Sequence, residues 1–135
     1  MKTNSLIISI FLLSGFLFIS FRSIQNKPWA VPEKYDKMAN PVKADAESLK
    51  DAKALWTKHC ASCHGKTGLG DGTKAAQLDS EVGDLTIAES QKQSDGSLFY
   101  KTLEGRDDMP GFKKKLPDED EIWSLVNYMR SLKAK

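Results

Sequence analysis

The stretch Leu55-Trp56-Thr57-Lys58-His59-Cys60-Ala61-Ser62-Cys63-His64-Gly65 joins the end of an amphipathic helix to a Cys-x-x-Cys-His pattern, and that junction decides the fold. Upstream, Asp45 can cap a helix in which Ala46, Leu49, Ala52, Trp56 and Cys60 recur every three to four residues. This first helix delivers the cysteines. Two residues between Cys60 and Cys63 let both sulfurs reach the two vinyl-derived positions on one edge of a porphyrin, forming two thioethers. His64 follows at once and swings its imidazole under the iron. Neutral imidazole is a good iron ligand, and its other ring nitrogen usually needs an orienting acceptor. The pattern predicts one covalent haem c, attached through Cys60 and Cys63 and ligated by His64.

Three other chemistries use similar residues. A thioredoxin-like dithiol expects strands alternating with helices, for which this chain has few candidates. A zinc site built from Cys60, Cys63, His59 and His64 would take its histidines from beside the cysteines instead of from a second element. A disulfide across two residues would be tight and strained.

The 135 residues suit one small domain with accessory segments. With two cysteines in one segment, no framework of several disulfides can staple so small a core. A buried haem would supply the missing apolar surface and favour the folded state by binding it. Formal net charge is +2, but setting aside Lys2 and Arg22 lowers the basic count from 20 to 18, equal to the acidic count. A nucleic-acid footprint, which needs a clustered basic excess, is not supported.

Lys2 precedes an uncharged apolar run from Leu6 to Phe21, closed by Arg22. Residues 1–22 read as an export signal, or as a membrane anchor if left uncleaved, since the run exceeds a usual signal core yet falls short of the roughly 20 residues that span a bilayer comfortably. Either reading places the remainder outside the cytoplasm, in the periplasm, with residues 6–21 as the candidate tether to the inner membrane. Pro28, Pro32 and Pro41 among charged residues then predict an extended linker over 23–44. Trp29 and Tyr35 are unusual in a solvated spacer and are expected to pack on the domain itself, which runs over 45–135.

Within that domain, residues 65–85 carry five glycines and no helical or strand period, so they read as loop. No strand precedes these glycines and no Gly-Lys-Ser/Thr follows, which leaves a nucleotide-binding loop without support. A short helix is expected from about Ser97 to Leu103, after Asp95-Gly96. The last helix follows Pro117, with Asp118 as cap, Glu121 as its partner, and an apolar stripe of Ile122, Leu125, Val126, Met129 and Leu132. The domain is therefore expected to be all-α.

An iron held for electron transfer is usually six-coordinate, and a His/Met pair raises its potential. Met1 falls in the export segment, Met38 in the linker and Met129 on a packing stripe. Met109 stands apart in Gly105-Arg106-Asp107-Asp108-Met109-Pro110-Gly111-Phe112, where Pro110 stiffens the turn and biases Met109 toward an extended backbone. Met109 is the expected second axial ligand. His59 adjoins the tethered Cys60 at the haem edge and is poorly placed to reach the other face, so it reads as a partly exposed helix-end residue.

From Asp45 to Leu132 the chain resembles the class I, mono-haem cytochrome c family of the bacterial exported type. The matching pieces are Leu55-Trp56, Cys63-His64-Gly65, Gly70-Asp71-Gly72, Met109-Pro110 and Trp123-Ser124-Leu125-Val126-Asn127-Tyr128. The resemblance implies that the first and last helices cross beside the haem, with Trp56 and Tyr128 at the crossing. Ala52 occupies a crossing position often held by Gly, which should loosen the approach only slightly. A second departure matters more: many relatives orient the ligand histidine through a carbonyl near a proline in the loop that follows, and no proline lies between His64 and Met109.

The expected function is single-electron transfer to and from redox protein partners, a donor and an acceptor. No nucleophile–base pair or open metal site argues for catalysis. Lys113-Lys114-Lys115 is a candidate contact for an acidic partner. Two other readings fit the same residues: a haem-bearing subunit of a larger membrane redox complex, and a haem-based ligand sensor in which Met109 dissociates.

Overall fold

The computed structural model describes residues 28–134; the export segment expected over 1–22 and the first part of the linker lie outside them. Helix α2 (Ala46–His59) begins where the sequence places it, because Asp45 accepts from the Ser48 backbone N–H while the Ser48 hydroxyl caps the Asp45 backbone in return. It buries Ala52 and Trp56. Helix α6 (Glu119–Ser131) opens on Asp118 with three acidic residues in its first turn, where the helix dipole favours them. Its cap differs from the expectation, since Asp118 accepts from the Asp120 backbone N–H and not through a reciprocal pair with Glu121.

These two helices form the main packing of the molecule. Ala52 is 0% exposed at the contact, so the small side chain lets the backbones approach. The Trp56 and Tyr128 rings lie 5.5 Å apart between centroids. The crossing implied by the resemblance is present, with Ala52 serving at the close approach.

Helix α5 (Asp95–Glu104) starts two residues before the expected Ser97 because Ser94 caps it, accepting from the Ser97 N–H. It stacks on α6 through Phe99 and Trp123, whose rings lie 4.1 Å apart at 12°. Phe99, Ile122, Leu125 and Val126 are the largest fully buried side chains, which puts the core between α5 and α6 and beneath α2.

The glycine-rich stretch is mostly irregular, as expected, and contains a 3₁₀ turn at Ala75–Gln77. A short helix that the pattern did not announce, α4 (Ala88–Gln91), follows it. Arg130 ties this region to α6, donating to the Gln91 carbonyl at 2.9 Å and to the Asp95 carboxylate at 2.8 Å. No β-strand occurs among the described residues, and one isolated bridge joins Arg106 to Met109.

The described part of the expected linker departs from an extended spacer. It contains a helical turn, α1 (Glu33–Asp36), and lies on the domain. Tyr35 packs on Tyr100 and Phe99, with centroids 4.8 and 6.4 Å away. The Ser94 and Ser97 hydroxyls both donate to the Asp36 carboxylate at 2.6 Å. Asn40 donates to the Trp123 carbonyl at 3.1 Å, and Asn127 donates back to the Val42 carbonyl at 2.9 Å. The prolines stiffen this strap, but its aromatic and amide side chains have partners on α5 and α6, and those contacts hold it down.

Candidate functional site

Cys60 ends α2 and opens the single turn α3 (Ala61–His64), so Cys60 and Cys63 are one turn apart and present their sulfurs to the same side. The Cys63 and His64 N–H groups both donate to the Cys60 carbonyl, at 3.1 and 2.9 Å. Gly65 then leaves the turn at φ +79°, where a Cβ would lie 1.9 Å from the Asp71 Oδ1. Any other residue at 65 would be strained at that φ and would push the Asp71 side chain aside. The two thiols are not bonded to each other. Burial, with the neighbouring Cys63 second, pushes the Cys60 thiol up to about 12.

His64 is half-buried, and that burial pushes its imidazole below the ordinary value, which keeps it neutral as an iron ligand must be. Its Nδ1 is buried with no hydrogen-bond partner in the structure, in line with the missing proline of the post-haem loop. His59, the last residue of α2, packs its ring edge against Phe112, centroids 5.9 Å apart, and is partly exposed as expected. Among the described residues no group of three or more His, Cys, Asp or Glu side chains converges on a metal position, which removes the zinc reading there. The thioredoxin-like reading expects strands, and none occurs among the described residues.

Met109 sits in a tight turn closed on itself: its N–H donates to the Arg106 carbonyl at 2.9 Å, and its carbonyl accepts from the Arg106 N–H at 2.8 Å. Next to it, Asp108 Oδ2 accepts from the Ser80 backbone N–H at 2.8 Å and the Ser80 hydroxyl at 2.6 Å. Those bonds, with the Ser80 hydroxyl foremost, hold the Asp108 carboxyl below its usual range. Of the other methionines, Met129 is 7% exposed on α6 and Met38 is 37% exposed in the strap, while Met1 lies outside the described residues.

Cys60, Cys63, His64 and Met109 line one cavity of about 650 Å³. Its walls include Leu78, Val82, Leu85, Leu98, Phe112 and Leu125, an apolar lining suited to a flat hydrophobic macrocycle. Lys101 and Arg106 add positive charge to the wall, and the Trp29 ring lies 5.6 Å from the Lys101 amine and 4.6 Å from the Arg106 guanidinium. Burial, then the nearby Arg106, push the Lys101 amine below its ordinary value. The sequence singled out Trp29 for its odd setting but did not place Lys101 or Arg106, whose role depends on α5 and the Met109 turn meeting in space. Glu81, Asp107 and Asp108 line the same cavity, and Arg106 pairs with Asp107 at 3.1 Å, so the wall carries both charges; the donor set and the apolar side chains fit a porphyrin.

A sequence model of the family described as cytochrome c oxidase, cbb3-type, subunit III matches residues 47–129. The chain belongs to that family, with the class I cytochrome c fold. All four residues of the expected haem site fall inside the matched span. Among solved structures, this cytochrome is similar to a chain of a reducing HAO-like protein complex of Kuenenia stuttgartiensis, with 26% identity and a TM-score of 0.63 over 70% of its length. It spans about half, 47%, of that chain. The KustC0563 c-type cytochrome is 31% identical with a TM-score of 0.55, over 62% of this chain and 99% of that one. Cytochrome CL of the marine methylotrophic bacterium Methylophaga aminisulfidivorans shares the fold, at 22% identity and a TM-score of 0.55, over 81% of this chain and 71% of that one. Nothing among curated proteins matches. Membership in this family implies a c-type haem and electron transfer through it. The strap with Trp29, Tyr35 and Asn40 lies outside the matched span.

Proposed function

We propose that the chain is a single-electron carrier with one haem c, attached covalently to Cys60 and Cys63 and ligated by His64 and Met109. The observation that carries this reading is the convergence of Met109, from the turn after α5, on the same cavity as the Cys60–His64 turn. Bound there, the haem iron supplies a one-electron couple. The chain's part is to hold its donors still. Cys60 and Cys63 lie in a hydrogen-bonded turn, His64 stays neutral, and the Met109 turn is closed by its own backbone pair and braced through Asp108. Donors that keep their places in both oxidation states require little reorganisation.

Redox proteins are the proposed partners, one as donor and one as acceptor. Lys115 reaches the cavity wall, and Lys113 and Lys114 beside it are exposed, which supports docking of an acidic surface near the haem edge. We assign residues 1–22 to export into the periplasm, as signal or as inner-membrane anchor, and 45–135 to the cytochrome domain. Among the described residues no helix is long and apolar enough to cross a membrane. A second reading, a haem-bearing subunit of a larger membrane redox complex, is favoured by the description of the matched family. Membrane extraction with and without detergent separates a soluble carrier, which leaves without detergent, from an anchored chain, and co-purification of other subunits with the detergent extract then marks the complex.

The ligand set is tested by acid–acetone extraction and by the visible spectrum of the oxidised protein. Colour should stay with the polypeptide, and a far-red sulfur-to-iron band should be present. Colour leaving with the solvent would exclude the thioethers, and a spectrum without that band would exclude Met109.

A further inference from the structure

His64 carries a buried ring nitrogen, Nδ1, with no hydrogen-bond partner among the described residues. In iron-ligating histidines an acceptor on that nitrogen normally fixes the ring plane. Another contact must do so here. The backbone around His64 is clamped on both sides, its N–H donating to Cys60 and its carbonyl accepting from the Gly70 N–H, each at 2.9 Å. Gly65 donates to the Ala61 carbonyl at 3.0 Å. The Gly65 carbonyl in turn accepts from the Trp56 indole N–H at 3.0 Å, in a buried position. The same indole lies against the imidazole, with centroids 5.7 Å apart and planes at 46°.

A residue that only filled the helix crossing would need no donor, because packing against Tyr128 depends on shape and apolar area. The Trp56 N–H does something more: it holds the peptide that immediately follows the ligand. Gly65 holds φ +79°, a region that favours glycine, and its N–H is tied to Ala61. Movement of the Gly65 carbonyl, one residue from the ligand, would therefore pass to His64.

We propose that Trp56 is the positioning residue for His64, its indole N–H holding the Gly65 carbonyl and its ring face bearing on the imidazole, in place of an acceptor on Nδ1. This rests on the assignment of His64 as an iron ligand. Orientation of an axial imidazole sets the pattern of haem methyl shifts in the proton NMR spectrum of the oxidised protein, which gives a readout that stability alone does not move.

The experiment compares full-length holoprotein with Trp56→Phe, with benzothienylalanine placed at 56, and with Tyr128→Leu. Benzothienylalanine keeps the bicyclic shape and lacks only the N–H, so it serves if Trp56→Phe folds poorly. Both replacements at 56 should change the order or spread of the haem methyl shifts. Tyr128→Leu should lower the unfolding midpoint and leave the methyl pattern as in the wild type. An unchanged pattern with benzothienylalanine would overturn the proposal, as would an equal change in Tyr128→Leu, which would assign the effect to packing. Wild-type His64 ring protons without hyperfine shifts would overturn the ligand assignment itself, and this inference with it.

Discussion

A thioether serves electron transfer best when it is held still, and the Met109 turn is held by its own backbone pair with Arg106 and by the Ser80–Asp108 brace. Under the proposed ligation, Met109→Ala should remove the far-red band, lower the reduction potential and open the iron to carbon monoxide. The reduced wild type should bind that gas slowly and incompletely; rapid, complete binding by the wild type would contradict stable Met109 ligation and favour a ligand sensor. The turn that carries Cys60, Cys63 and His64 could be read from local spacing alone, and the turn around Met109 from Pro110, outside the helical stripes; the structure puts all four on one cavity. The packing of His59 on Phe112, and the grouping of Trp29 with Lys101 and Arg106, were not legible, because they depend on segments that meet only in the folded chain.

At the scale of elements, the strap over α5 offers the sharpest contrast with expectation. Gly96 lies within α5, where Ala would ordinarily favour the helix by about 1 kcal/mol. A Cβ there would meet the Tyr35 carbonyl at 1.8 Å, a backbone atom that cannot swing aside. Gly96→Ala should therefore destabilise the fold by about 1–3 kcal/mol, as overpacking does. A raised midpoint in urea would show that the strap does not bear on α5. The strap also carries an acid-sensitive contact. Ser94, then Ser97, hold the Asp36 carboxyl below its ordinary value of 3.8. Its contribution is present above 3.8 and is lost as pH falls through the lowered folded value. Asp36→Asn should therefore flatten the loss of stability in that acid window, and an unchanged acid profile would remove Asp36 from it. The helices themselves were readable from caps and apolar spacing, including α2 and α6 and their crossing. Packing of Tyr35 on the domain was expected and is found; the extended form was not, because proline spacing reports stiffness, whereas the strap's path is set by Phe99, Tyr100, Trp123 and Asn127 far along the chain.

Over the whole molecule, near-balanced charge leaves docking to local patches, and the exposed run Lys113-Lys114-Lys115 lies beside the cavity. Changing these three lysines to glutamine should slow association with an acidic redox partner at low salt, with the difference fading as ionic strength rises. A low-salt rate equal to the wild type would move the docking face elsewhere. The fold class followed from helical periods with no alternating segment, and the family match over residues 47–129 agrees with it. The shape of the cavity did not follow, since its walls come from six separate stretches, from Trp29 to Met129. What unites residue, element and molecule is the proposed haem, one per chain and carried covalently at Cys60 and Cys63. The direct test is the intact mass of the purified holoprotein under denaturing conditions: the account predicts the polypeptide plus one haem, with the addition lost in Cys60→Ala/Cys63→Ala, and a polypeptide mass without haem from coloured wild-type protein would contradict it.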